Sequence, residues 1–548
     1  MRLTESLLRF SGFLLLAILA LWPAYLYGPP LGHSLANNLV WLSSFDAGIW
    51  RGEIYPRWMP ELWFGAGAPD FFFYGPLPFW VSSTFGRGLC WDCETPNLLN
   101  AGTVVLFALS GLGYFHLARR FFEAPQALLA AGLYVILPYH LMIDWGVRQA
   151  LGELAAYAFV PVMASALVGL MRRETASVFI LAASVGGLVL SHLPSVVMVA
   201  AGFGPVALGV SIFGFPKWPE RLRFFALSAG GAVLGLGLSV FYWWPALSLL
   251  STVSSETLWQ TAFNWSHWLF FDGVDEPNPP LMLLLKFWLV VVTAITALVL
   301  WRIKADRVLL LLCVAPLVAA WFFMTVLSWP VWWLVRPLQA IQFPWRFMML
   351  AEFGLPLVVA LGFAKLRLGP VAVVLAVLAA GSGWTGFQLA QVLGLQRDLV
   401  EATVKDHLSA WEYLPRTAFA PILKLTSGRR DAVRADWAAT PDHVSAVPLQ
   451  QISSRRLLIH VNDATPRPII IRQFYWPLWQ AVDVTTSTSL ALSPEPKFGL
   501  ITIDVPSGAH DIVLNLRHDR SETWGLVLAL ISASTLLGWW AWLRFRRS

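Results

Sequence analysis

The chain has 548 residues, of which 57% are hydrophobic and only 13% charged, with 30 Trp and 36 Phe. That is too apolar for an ordinary soluble domain. The formal net charge of +6 is no argument for nucleic acid, because the positive residues sit where a membrane topology needs them.

The apolar residues come in runs of about 20, long enough to cross a bilayer core as helices. The first, "FLLLAILALWPAYLYG", follows Arg2 and Arg9, and no small-residue cleavage site comes after it. It reads as a retained signal anchor. About twelve spans are expected, at roughly 10–28, 99–118, 125–142, 153–171, 175–191, 195–213, 225–247, 281–301, 308–327, 346–364, 370–393 and 523–543. Positive clusters fall at Arg2/Arg9, Arg119–Arg120, Arg172–Arg173, Lys217 to Arg223, Arg302 to Arg307, Lys365/Arg367 and Arg544 to Arg547. These are the two termini and every second loop, as the positive-inside bias requires with both termini cytoplasmic. Residues 29–98, 142–152, 248–280, 328–345 and 394–522 then lie outside, and any chemistry is expected to be extracytoplasmic.

The first outer loop holds "RGEIYPRWMPELWFGAGAPDFFFYGPLPFW" (51–80), dense in aromatics, sparse in charge and broken by five prolines. Proline spacing rules out one long helix. Short amphipathic helices in the membrane interface are expected, since Trp and Tyr favour the headgroup level. Aromatics with isolated charges suit a ligand with a greasy chain and a polar head; an interfacial belt without a ligand fits the composition equally well. Further on, "CWDC" (Cys90, Cys93) permits a local disulfide in an oxidising compartment, or two free thiols. A metal would need a second ligand pair, and none is evident. Cys313 falls inside a span and reads as packing.

Near residue 394 the character changes. A polar, helix-compatible stretch leads into "RRLLIHVND", "RPIIIRQFYW", "WQAVDVTT", "FGLITIDVP" and "GAHDIVLNLRHD". Alternation bounded by Pro, Gly, Asn and Asp signals half-buried strands, and five or more of them make a small β-sandwich. It reads as a stabilising lid or a recognition module, without a nucleophile beside a base. The expected organisation is a helical bundle over 1–393 with the large first outer loop 29–98, an extracytoplasmic β-rich domain over 394–522, and a last span with a basic tail over 523–548.

"GEIYPRW" followed by "FGAGAPDFFFYGPLPFW" resembles the first-loop signature of large bacterial membrane proteins related to 6-pyruvoyl-tetrahydropterin synthase. These neighbour the YfhO-like proteins within the C-type (GT-C) glycosyltransferase superfamily. "VRQALGELAAYAFVPV" (147–162), "LSHLP" (190–194), "IQFPWRFMML" (341–350), "WEYLP" (411–415) and "RQFYWPLWQAVDV" leading into "VPSGAHDIVLNL" are similar to the same family, in its order. The resemblance implies a GT-C-like polytopic α-helical membrane protein in the bacterial cytoplasmic membrane. It implies transfer of a sugar from a polyprenyl-phosphate donor to a glycan, lipid or protein acceptor. It also implies an essential Asp soon after the first span, with a His four residues on. This sequence departs there: the Asp falls at or near Ser34 and the His near Asn38. His33 is present, but no carboxylate appears between the first span and Asp46.

Such chemistry needs a carboxylate acting as base or holding a divalent metal such as Mg or Mn, cations to offset the leaving phosphate, and aromatic faces for sugar and lipid. Asp46, Asp70 and Glu153 are the candidate acids; a solvated loop acid, a turn cap and an ion pair with Arg148 are their respective structural readings. Arg346 in "FPWR" is the preferred phosphate ligand, followed by Arg57 and Arg148, with snorkelling to headgroups the alternative use. His33, Trp58, Tyr74 and His192 complete the expected substrate-binding set. Convergence of Arg346 with one of the three acids is expected of a transferase. A non-catalytic assembly protein descended from one would lack it. A glycolipid transporter is the weakest reading, because no internal repeat is found and almost every charge falls at a span edge.

Overall fold

The computed structural model describes residues 2–256, 263–272, 277–363, 367–419 and 449–545. Lys365, Arg546 and Arg547 of the expected positive clusters lie outside the described residues. Among the described residues ten helices are long and apolar enough to cross a membrane. Two shorter apolar helices, Leu7–Ala20 and Ser177–Ser191, stand at the first and fifth expected positions. The chain is a multi-pass helical membrane protein.

Proline sets where many helices begin. Pro23, Pro96, Pro125, Pro194 and Pro219 occupy the first turn of their helices, where a missing N–H costs nothing. Elsewhere proline breaks a span. The helix Ala124–Val135 stops short of Pro138, and Pro138–Arg148 resumes with the wider turns of a π-helix. The span Pro344–Gly362 is assembled from the turn Pro344–Phe347 and the helices Met348–Phe353 and Leu355–Gly362.

At one end of the bundle the arginine-rich loops meet one another. Arg120 pairs with Glu174 at 2.6 Å, Arg172 donates to the Arg120 carbonyl at 2.9 Å, and Arg173 pairs with Glu220 at 2.6 Å. The loops after the second, fourth and sixth expected spans therefore share one face, as the charge alternation requires. The first outer loop and the β-strands occupy the other end.

That loop folds differently from the expectation of aromatics laid along the interface. It contains a 16-residue helix, Leu35–Trp50. Beyond it the chain doubles back, so that Met59 and Ala68 exchange backbone hydrogen bonds of 2.8 and 3.0 Å. Trp58, Trp63, Phe71, Phe72 and Phe79 are all buried. Their rings pack on one another and on the β-domain: Phe71 meets Phe79 at 4.8 Å, and Phe72 meets Trp476, between the strands Arg467–Phe474 and Trp479–Asp483, at 4.7 Å. Burying such rings stabilises by about 1.5–3 kcal/mol each, so the loop's aromatics act as a core. Trp50 and Trp91 remain exposed. Cys90 and Cys93 form a disulfide, and Cys313 is buried and free.

The five sequence-expected strands are all present within eight among the described residues: β1 (Leu449–Ser453), β2 (Arg456–Asp463), β3 (Arg467–Phe474), β4 (Trp479–Asp483), β5 (Thr488–Leu490), β6 (Leu492–Pro494), β7 (Leu500–Val505) and β8 (Gly508–Leu516). They form two antiparallel sheets, β1-β2-β8-β4-β5 and β3-β7-β6. Period-two alternation places Trp479, Ala481 and Asp483 inward and Gln480 and Val482 outward, the register a one-sided sheet demands. The first loop is tied to this domain: Trp58 Nε1 donates to Gln473 Oε1 at 2.7 Å. Glu522, in the final helix Arg520–Phe545, receives Arg57 at 3.3 Å and Arg455 at 2.5 Å.

Candidate functional site

The break at Pro138 builds the site. The turns of Pro138–Arg148 carry Tyr139, Asp144 and Arg148, and Gln149 then reverses the chain in the left-handed region at φ 55°. Gly146 lets this segment lie against helix Leu368–Leu393: a Cβ there would stand 2.4 Å from the Gly386 carbonyl oxygen. After the reversal, helix Leu151–Met171 begins and presents Glu153 in its first turn. The turn Pro344–Phe347 brings Arg346 from the opposite side.

These four charges form one buried group. Arg148 Nη1 bonds Asp144 Oδ1, stands 2.8 Å from Glu153 Oε2, and donates to the Tyr139 hydroxyl at 3.0 Å. Tyr139 donates in turn to Glu153 Oε1 at 3.1 Å. Arg346 Nε lies 3.9 Å from Glu153 Oε2. Side-chain exposure is 0% for both acids, 7% for Arg148 and 12% for Arg346. Rings floor the cations: Arg148 sits 5.0 Å over Trp345, and Arg346 sits 5.0 Å over Phe343.

Two polar ends stay open. Asp144 Oδ2 and Arg346 Nε are buried without a hydrogen-bond partner. Beyond the Glu153 contact, the Arg346 guanidinium makes no further protein hydrogen bond or ion pair among the described residues. Buried polar groups are normally satisfied, so an open carboxylate oxygen and an open guanidinium within one buried group make it the candidate site.

The other expected residues divide into two groups. Tyr74 flanks the quartet, its ring 4.4 Å from that of Trp41. Burial pushes its hydroxyl up to about 12, against the pull of the Gly152 backbone and of Arg346 and Arg148. His192 lies beside Gly152, whose added Cβ would come within 3.2 Å of the imidazole, and bonds Ser195 Oγ at 2.8 Å. His33 reaches the Leu393 carbonyl at 2.9 Å, while its backbone N–H donates to Val147 O. Asp70 stands apart from the quartet, accepting from Trp41 Nε1 at 2.6 Å and from Ser409, with Oδ1 unpartnered. Burial pushes its carboxyl up to about 7, and the Ser409 and Trp41 donors only partly offset this.

Asp46, Arg57 and Trp58 are not brought to the quartet. Asp46 is held by Arg87. Arg57 is engaged by Glu522 and by the Phe241 carbonyl at 2.7 Å, and Trp58 is packed against Trp476 and Trp479. All three act in holding the first loop. The sequence reading passed over Asp144; its signal was "DWGVR", an acid and an arginine four apart, which helical turns set side by side.

Among the described residues no group of three or more His, Cys, Asp or Glu side chains could hold a metal ion, and Arg148 engages both acids of the quartet. The better-defined cavities, of about 100 Å³ beside Leu39, Thr95 and His407 and about 30 Å³ among Ala164, Phe203 and Leu311, are not lined by the quartet.

No protein-family model and no curated protein matches the sequence. Among solved structures the chain is similar to the archaeal oligosaccharyltransferase AglB from Archaeoglobus fulgidus in complex with an inhibitory peptide and a dolichol-phosphate. The TM-score is 0.40 at 13% identity, over 79% of this chain and 59% of that one. It is also similar to the arabinofuranosyltransferase AftD from Mycobacteria, with a TM-score of 0.40 at 14% identity, over 72% of this chain and 27% of that one. The chain therefore spans about three fifths of the first and about a quarter of the second.

Proposed function

We propose that the chain is a GT-C-type glycosyltransferase of a bacterial cytoplasmic membrane, with both termini cytoplasmic and its active face outside. It moves a sugar from a polyprenyl-phosphate donor to a glycan, lipid or protein acceptor. The observation that carries this reading is the buried quartet, in which Arg346 converges with Glu153 and leaves its remaining donors open at the end of the bundle capped by the first loop.

In the proposed reaction the bond between the anomeric carbon and the phosphate oxygen breaks, and the acceptor oxygen bonds to that carbon. Arg346 binds the departing phosphate, and charge-assisted contacts in a dry site are the strong kind. Arg148 offsets the charge of the two acids, which together with Tyr139 fix its orientation. Asp144 Oδ2 takes the acceptor proton. Glu153 suits that role less, since Tyr139 and Arg148 occupy both of its oxygens. Ser34, where the resemblance implies an acid, favours a second reading: a non-catalytic assembly protein of the cell envelope that kept the fold.

The two readings separate on turnover. Purified protein is given radiolabelled polyprenyl-phosphate sugars and a membrane lipid extract, and wild type is compared with Arg346→Ala and Asp144→Asn. The transferase reading expects product from wild type and at least a hundredfold loss in each variant. Donor binding without transfer in wild type would support the assembly protein.

A further inference from the structure

Six residues beyond Arg346, Glu352 lies fully buried inside the same span. An acid at such depth is costly and calls for a stated role. Its Oε1 accepts the backbone N–H of Tyr139 at 2.9 Å and also the Trp288 indole N–H. The first N–H groups of a helical segment have no partner within it, and Pro138 begins such a segment here. A buried orphan of that kind must be satisfied from elsewhere.

We propose that Glu352 is a positioning residue that sets the register of the Asp144–Arg148 segment against the span carrying Arg346. This rests on the quartet being the donor site. The connection is continuous. Glu352 holds the Tyr139 backbone, the Tyr139 hydroxyl bonds both Arg148 and Glu153, and Glu153 faces Arg346. One short stretch, 346–352, thus supplies a cation and the acceptor that aligns its partner. Glu352 touches no reacting atom; what it provides is an oxygen at a fixed point.

The test uses the full chain in nanodiscs with undecaprenyl phosphate as probe, measuring probe affinity, amide hydrogen exchange over 138–148 and thermal stability. Glu352→Gln keeps an acceptor oxygen, so affinity and exchange should stay within about twofold of wild type. Glu352→Leu removes it, and affinity should fall about tenfold, or ~1.4 kcal/mol, with faster exchange at Tyr139. Tyr139→Phe severs the hydroxyl link but keeps the backbone bond, so affinity should fall while exchange does not change. That variant tests the idea even where the leucine protein fails to fold. Wild-type affinity in Tyr139→Phe, or a loss in Glu352→Gln as large as in Glu352→Leu, would overturn the inference. A wild-type protein that ignores the probe would instead overturn the donor-site reading, and the exchange comparison would still decide the register.

Discussion

Asp70 offers a prediction whose size follows from the structure. Its carboxyl is fully buried against Trp41 and Ser409, and burial raises it from an ordinary 3.8 to about 7. The folded state therefore holds a proton there that the unfolded chain has already released above pH 3.8. Protonated Asp70 contributes stability that is fully present below that value and lost as pH rises towards 7. Ionising it costs the folded protein roughly 4 kcal/mol, at about 1.4 kcal/mol per pH unit. Asp70→Asn keeps an oxygen for both donors and cannot ionise. The difference in stability between variant and wild type should grow in the variant's favour from pH 4 to pH 7 and then level off. Guanidinium unfolding of the detergent-solubilised protein, followed by Trp fluorescence across that range, reads the difference directly. Other titrating groups cancel in the subtraction. A difference that stays flat between pH 4.5 and 8 would refute the reasoning.

Other changes test the packing and the site. Glu522→Gln takes the counter-charge from buried Arg57 and half-buried Arg455 and should cost about 3–5 kcal/mol; adding Arg57→Met should recover part of it in the same unfolding assay. Gly75→Ala should lower stability by about 1–3 kcal/mol, because its Cβ would stand 2.3 Å from the Ser191 carbonyl oxygen. Gly88→Ala, which meets nothing within 4 Å, is the control. Arg346→Lys keeps the charge but loses the planar fork, and donor KM in the transfer assay should rise about tenfold.

The membrane segments were readable because run length is a one-dimensional property. Thr95–Ala118 and Pro279–Arg302 declare themselves by length and apolarity whatever packs against them. Strands β2, β3, β4, β7 and β8 were readable by alternation, whereas β5 and β6, at three residues each, are too short to show a period. The first loop was harder for a physical reason. Composition does not distinguish rings facing lipid headgroups from rings facing each other, and Phe71, Phe72 and Trp63 take the second course. Three of the candidate quartet, Arg346, Arg148 and Glu153, were named, and topology sent them to one end. Asp144 was passed over because it fell in the short expected outer segment 142–152, where nothing signalled the helical turns that bring it to Arg148, and Glu352 because a lone acid among apolar residues gives no hint of the backbone N–H it serves.

The departure at Ser34 takes on a different weight beside this geometry. Ser34 N donates to the Arg148 carbonyl at 2.9 Å, and Asn38 Nδ2 donates to the Gln149 carbonyl at 2.6 Å. The two positions where the resemblance implies an acid and a histidine thus lie on the backbone of Arg148 and of the residue after it. Arg148 already carries Asp144 and Glu153, and with Arg346 the group closes at two negative charges against two positive. On the proposed reading this chain places its base on the Pro138–Arg148 segment, so a serine at 34 does not by itself remove the chemistry.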